Sequence, residues 1–158
     1  MPFELSHRSL VNLQGVHPDL QKLVVRTLQI SPLDFAVIQG LRTEDEEAQD
    51  VASGKSETMH SRHLAGKDGF AHAIDFMAFI DGKGTWDEPA YRHVAEAFRQ
   101  AAVEMNIPIE WGGAWQAALN SFPSADAAHA AYLAERAALG KPAFADLDHI
   151  QLDPTAYP

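Results

Sequence analysis

Apolar residues recur along this chain with two different periods, and the switches between them outline the elements. Over residues 19–30, Leu20, Leu23, Val24 and Leu28 share one stripe of a helical repeat, with Pro18 at its start, which predicts an amphipathic helix. Residues 34–38 form a short apolar run that stops before Gly40 and predict a buried strand. The charged stretch 44–51 predicts a helix capped by Thr43, with Glu46 placed to complete a capping box. Residues 73–80 predict a second buried strand, followed by a turn at Asp81-Gly82-Lys83-Gly84. The clearest helix is 87–105, where Val94, Phe98, Ala101 or Ala102, and Met105 recur at helical spacing; Trp86 anchors its start. Residues 108–111 predict a strand broken by Gly112-Gly113, residues 125–139 an alanine-rich helix ended by Gly140, and residues 149–152 a last strand. Residues 54–69, rich in Gly, Ser and His, keep neither period and predict a loop. Helices set before and between the strands of a small sheet give an α+β fold, expected as one domain over residues 1–158.

Charge narrows the choice of partners. The formal net charge is -10, from 12 Lys and Arg against 22 Asp and Glu, which argues against nucleic acid and its phosphates. No apolar run approaches the ~20 residues of a membrane span, so no membrane insertion is expected. Nor does the start pair a basic region with an apolar segment, so no export signal is expected and a cytoplasm is the expected place of synthesis. There is no cysteine, so any metal has to sit on His, Asp and Glu.

Three stretches offer such ligands: Ser61-Arg62-His63, Ala71-His72-Ala73-Ile74-Asp75, and Asp146-Leu147-Asp148-His149. A catalytic metal of the zinc type takes three protein ligands and leaves a fourth position open, with a spare carboxylate to accept a proton. On a strand, His72 and Asp75 point to opposite faces, which favours pairing Asp75 with His63. The same parity separates Asp148 from His149 and favours Asp146 as the spare carboxylate, provided the chain bends before His149. His7, His17, His93 and His129 have no special context and are assigned to structure or solvent, with His60 mostly beside them. Spacing alone leaves open a metal site or a set of unrelated histidines.

Ordered blocks along the whole chain decide the direction. Leu13-Gln14-Gly15-Val16-His17-Pro18-Asp19-Leu20, Gly40-Leu41-Arg42-Thr43, Ser61-Arg62-His63-Leu64-Ala65-Gly66, His72-Ala73-Ile74-Asp75, Ile109-Glu110-Trp111-Gly112-Gly113-Ala114-Trp115 and Asp146 to Leu152 together resemble the phage endolysin L-alanyl-D-glutamate peptidases. These are zinc enzymes of the D-alanyl-D-alanine carboxypeptidase group, whose fold is shared with the hedgehog signalling domain. The resemblance implies a small, mainly antiparallel sheet flanked by helices. It implies that His63, Asp75 and His149 bind zinc, that Asp146 is the catalytic base and that Arg42 contacts the substrate or the developing oxyanion. Ser56 and Ser61 match polar positions along the cleft, and Trp111 and Trp115 flank glycines that would let backbone approach a ligand. Two departures stand out: Lys67-Asp68-Gly69-Phe70-Ala71 reads as an insertion that makes His72 a rival ligand, and the alanine-rich helix before Asp146 reads as extra.

The implied activity is hydrolysis of the peptidoglycan stem peptide by a monomeric zinc enzyme, made in the cytoplasm of an infected bacterial cell and acting on the wall after release. A D-alanyl-D-alanine carboxypeptidase or dipeptidase, and a binding domain that keeps zinc without turnover, are the competing readings.

Overall fold

The structure, a computed structural model, describes residues 2–54 and 61–158. Its frame is the strand β2 (Ala73–Ile80), the longest in a sheet of order β1-β2-β5-β4, where β1 is Phe35–Gln39, β4 is Ile109–Trp111 and β5 is His149–Leu152. Every pairing in that path is antiparallel. A short strand β3 (Lys83–Thr85) returns along the far end of β2. Asp81 and Gly82 join the two with φ of 51° and 77°, the left-handed pair that a tight hairpin requires. The expected turn is therefore shorter than Asp81-Gly82-Lys83-Gly84, and its second half is strand.

Alternation sorts the sheet's side chains. Ile74, Phe76 and Ala78 of β2, with Ile150 and Leu152 of β5, are fully buried against the helices. α2 (Pro18–Ile30) lays Leu20, Leu23, Val24 and Leu28 into that core, and α4 (Glu88–Met105) adds Tyr91, Val94 and Phe98. Phe76 stacks on Tyr91 with ring centroids 5.3 Å apart, and Phe35 and Phe98 close the same aromatic cluster. Burial of this size, at ~25 cal/mol per Å² of apolar surface, holds helices to sheet without any disulfide. The opposite parity leaves Asp75, Glu110, His149 and Gln151 to the sheet's other face.

Two helices flank this frame near the N-terminus. α1 (His7–Asn12) escapes the apolar period because it has only 6 residues; the Ser6 hydroxyl caps it by accepting from the Ser9 amide at 3.1 Å. α3 (Glu44–Ala52) begins as expected, with the Thr43 hydroxyl accepting from the Glu46 amide at 3.1 Å. α5 (Ala125–Ala138) is the alanine-rich helix, capped by Ser124 and docked through Ala125, Ala128 and Tyr132. Trp86, although 64% exposed, stacks flat on Tyr91 at the start of α4.

Candidate metal centre

Strand register brings two of the expected ligands together. Asp75 and His149 are directly opposed on the β2–β5 ladder, where side chains on one face lie within reach of each other. His63 arrives from a loop laced to both neighbouring segments: the Arg42 amide donates to the His63 carbonyl and the His72 amide to the Arg62 carbonyl, each at 2.8 Å. His63 Nε2 lies 3.3 Å from Asp75 Oδ1, and His149 Nδ1 lies 3.2 Å from the same oxygen. The two imidazole centroids are 5.1 Å apart. One ligand atom from each residue lies within 4.8 Å of the others, and both histidines are buried.

The far nitrogen of each ring fixes which nitrogen faces the centre. His63 Nδ1–H donates to the Gly40 carbonyl at 2.9 Å, which leaves the Nε2 lone pair toward Asp75. His149 Nε2–H donates to Gln151 Oε1 at 2.9 Å, which leaves its Nδ1 lone pair there too. Gln151 in turn donates to Glu110 Oε2 at 2.7 Å, which orients its amide. Such outer partners hold metal-ligating imidazoles in one tautomer. Two lone pairs and a carboxylate converging on one point are a donor set that fits a cation. Without one, burial opposes charge on Asp75, but hydrogen bonds from His149 and His63 outweigh it and hold the carboxyl well below its usual range. His149 is buried as well, yet Asp75 pulls its pKa upward.

Asp146 stands beside this group. Asp75, Asp146 and Asp148 bring carboxylate oxygens within 4.8 Å of one another. The chain bends before β5, as the pairing of Asp146 with His149 requires: the His149 amide donates to the Asp146 carbonyl at 3.1 Å. Asp148 is not set aside by strand parity, because it precedes the first residue of β5 and the alternation does not reach it. Burial, its hydrogen bond with Asp146 and the charge of Asp75 raise the Asp148 carboxyl to about 9.

The double glycine serves the protein's own chain. A Cβ on Gly112 would fall 2.0 Å from the Asp146 carbonyl oxygen, and one on Gly113 would fall 2.6 Å from the Trp111 ring. Trp111 is 0% exposed and donates Nε1–H to the Leu147 carbonyl at 2.8 Å. It therefore has no face to offer a substrate, contrary to the expectation, and instead props the Asp146 turn from within. Trp115 does sit at the centre, with its ring centroid 5.1 Å from that of His149.

Arg42 is also placed differently from the expectation. It is 7% exposed and bonded to Glu47 and to Gln39 Oε1 at 2.8 Å; its Nε is 3.2 Å from Asp50 and its Nη2 is 3.9 Å from Asp75 Oδ2. A guanidinium so engaged braces Asp75 and ties α3 to the centre, leaving no open fork for a substrate. Neither Glu44 nor Asp45 is its partner among the ion pairs of the described residues. The Ser61 hydroxyl accepts from the His63 amide at 3.1 Å, so it shapes the ligand's turn. Ser56 lies outside the described residues, as does His60.

His72 is no ligand of this group. Its Nε2 meets Asp68 Oδ2 at 2.7 Å and its Nδ1 meets Arg62 at 2.8 Å, pinning the inserted loop 67–71 to the body. His17 and His129, for which the sequence suggested no role, cap α2 and bond to the Gly113 carbonyl. Glu110 and Gln151 carried no expectation, although their parity with His149 on paired strands was a usable signal.

A family model described as phage L-alanyl-D-glutamate peptidase matches residues 1–130. The chain belongs to that family. It is 38% identical over 121 residues to the L-alanyl-D-glutamate peptidase of Escherichia phage T5, covering 74% of this chain and 85% of that one. Identity to the L-alanyl-D-glutamate peptidase of Listeria phage A118 is 33% over 112 residues, which is 68% of this chain and 37% of the relative. The crystal structure of the Serratia marcescens L-Ala D-Glu endopeptidase ChiX superposes with a TM-score of 0.74 at 32% identity, over 99% of this chain and 95% of ChiX. The expected family and the α+β fold are both borne out. The family model ends inside α5, so Asp146 and His149 lie past the matched stretch.

Proposed function

We propose that this chain is a zinc-dependent endopeptidase that hydrolyses the L-alanyl-D-glutamate bond of peptidoglycan stem peptides. The observation that carries the reading is the convergence of His63 Nε2, His149 Nδ1 and an Asp75 oxygen, with the Asp146 carboxylate alongside. His, His and carboxylate are the donors of several zinc hydrolases, and the charge and buried lone pairs here suit that ion. His63, Asp75 and His149 would hold the zinc, which when bound would supply Lewis acidity for the attacking water and the scissile carbonyl. Asp146 takes the proton of the attacking water and hands it to the leaving amine nitrogen. Arg42, with Nη2 3.9 Å from Asp75 Oδ2, braces that carboxylate, and Gln151 keeps the His149 lone pair on the same centre. Trp115 forms the wall beside His149 against which the peptide lies.

The peptide specificity is supported by the phage relatives and ChiX, which are L-alanyl-D-glutamate peptidases by name. Synthesis in an infected bacterial cytoplasm with access to the wall after release is part of the same proposal, supported by the phage origin of those relatives, and monomeric action is proposed with it. Metal analysis is the first test. Wild-type protein is expected to bind about one zinc, His63→Ala and His149→Ala to lose it, and Asp146→Asn to keep metal and fold while kcat drops about 10²–10⁴-fold. A peptidoglycan digest must expose new amines on D-glutamate; release of terminal D-alanine instead would move the chain to carboxypeptidase chemistry.

A further inference from the structure

A cleft of about 370 Å³ is lined by Trp115, whose ring also neighbours His149 of the metal group. α5 and the segment 140–146 make its walls. Three side chains fasten that segment through main-chain atoms. Tyr132 both donates to the Phe144 carbonyl (3.1 Å) and accepts from its amide (3.0 Å), Arg136 Nε donates to the Pro142 carbonyl at 2.9 Å, and Trp115 Nε1 donates to the Phe144 carbonyl at 2.7 Å. Leu139, Phe144 and the Trp115 indole supply the apolar lining. Tyr132 to Phe144 lie past residue 130, where the family model ends.

The cleft carries two cations, Arg136 and Lys141. Arg26, Arg42, Arg92 and Arg99 each pair with a carboxylate, whereas Arg8, Lys22, Lys67 and Lys83 form no ion pair among the described residues. Arg136 and Lys141 line the cleft and have no carboxylate within ion-pairing distance among the described residues, Glu135 of the same lining included. On a chain of net charge -10, two unneutralised cations around one apolar hollow make a local site for an anion.

We infer that this cleft receives the leaving side of the substrate, with Arg136 and Lys141 binding a free carboxylate there. The inference rests on the proposed endopeptidase activity. A glutamate joined to a peptide through its amine and one carboxyl keeps its other carboxyl free, so every substrate cut between alanine and glutamate carries an anion just beyond the scissile bond. The alanine on the acyl side has no charge to offer. Trp115 neighbours His149 and also lines the cleft, so the cleft adjoins the metal group through a single residue. Arg42, expected at the substrate or the oxyanion, is already engaged by Glu47, Gln39 and Asp50, so the carboxylate falls to Arg136 and Lys141.

The test pairs two synthetic peptides that differ only in a free carboxylate or a carboxamide on the glutamate. Wild-type enzyme is expected to show a KM about tenfold lower for the carboxylate, and Arg136→Gln/Lys141→Gln to lose that preference with kcat and zinc content unchanged. If these cations serve only the C-terminal end of α5, the double variant would have a lower melting temperature and an unchanged ratio of the two KM values, which would overturn the inference. Titration of metal-depleted protein, read from the Trp115 indole N–H resonance, decides the matter without turnover. A carboxylate preference there upholds the cleft even if the chain cuts no Ala–Glu bond; equal shifts with both peptides refute it.

Discussion

The two sides of Trp115 are built by different means. On one side the metal group hangs on backbone: Asp75 faces His149 across a ladder, the loop carrying His63 is held by amides of Arg42 and His72 donating to the His63 and Arg62 carbonyls, and the His63 ring donates to the Gly40 carbonyl. On the other side the cleft wall is a helix and a loop joined by Tyr132, Arg136 and Trp115, whose side chains reach to carbonyls. A ladder fixes atoms to within a fraction of an ångström, which ligands need, whereas a few side-chain bonds allow a wall to adjust around a peptide. Chemistry is assigned to the stiff half and selectivity to the soft half.

The harshest way to break that division is to disturb the stiff half where backbone meets backbone. In Gly112→Ala the new Cβ would lie 2.0 Å from the Asp146 carbonyl oxygen and 2.8 Å from its carbon, with no flexible atom to yield. Asp146 must shift, and kcat is expected to fall about 100-fold, with about 1–3 kcal/mol lost in urea unfolding. Zinc content should persist, because none of the three ligand side chains has to move. Wild-type turnover in this variant would mean that Asp146 tolerates displacement and is not the base.

A milder probe acts one bond farther out. Gln151→Ala removes the acceptor for His149 Nε2–H and frees the ring to turn its lone pair away from Asp75. Zinc affinity is expected to weaken about 10–100-fold, measured by competition with a chelator, with little effect on kcat at saturating metal. Unchanged affinity would show that the β2–β5 ladder alone orients His149.

The third probe uses pH. In the metal-free protein burial is the main force raising the Asp148 carboxyl to about 9, followed by its hydrogen bond with Asp146 and the Asp75 charge. Between the unfolded value of about 4 and that folded value, the native state holds a proton that the unfolded chain releases. This contribution is complete below about pH 4 and disappears as pH climbs toward 9. Urea midpoints of metal-free protein should therefore fall with rising pH across that window, and Asp148→Asn should flatten the slope. An equal slope in the variant would place the proton elsewhere.

What the sequence could reveal depended on whether the deciding contact was local. Parity separated His72 from Asp75, and the structure does keep His72 on Asp68 and Arg62, away from Asp75, although His72 stands one residue before β2. The capping hydroxyl of Thr43 was local. Parity misled at Asp148 because the strand starts one residue later. Arg42 was expected at the substrate or the oxyanion, yet helical winding turns Glu47 and Asp50 of α3 back toward it. Gly112 and Gly113 read as room for a ligand, while the occupants are a carbonyl from residue 146 and the ring of Trp111. Long-range packing of that kind leaves no periodic trace. α1 and β3 are too short to show one.

The smallest expected effect belongs to the soft half. Tyr132→Phe deletes the hydroxyl that grips both the amide and the carbonyl of Phe144 while keeping the ring that packs in the core. Loss of these two half-exposed bonds should cost about 1 kcal/mol, a shift of a few degrees in melting temperature. The catalytic consequence follows from what the segment connects. Phe144 stands two residues before Asp146, but Asp146 has its own tether, an amide that donates to the Gly112 carbonyl at 2.8 Å. If that tether isolates the stiff half, the variant raises KM severalfold and leaves kcat alone. A fall in kcat comparable to that of Gly112→Ala would show instead that the wall and the base move as one body, and the division drawn at Trp115 would have to be abandoned.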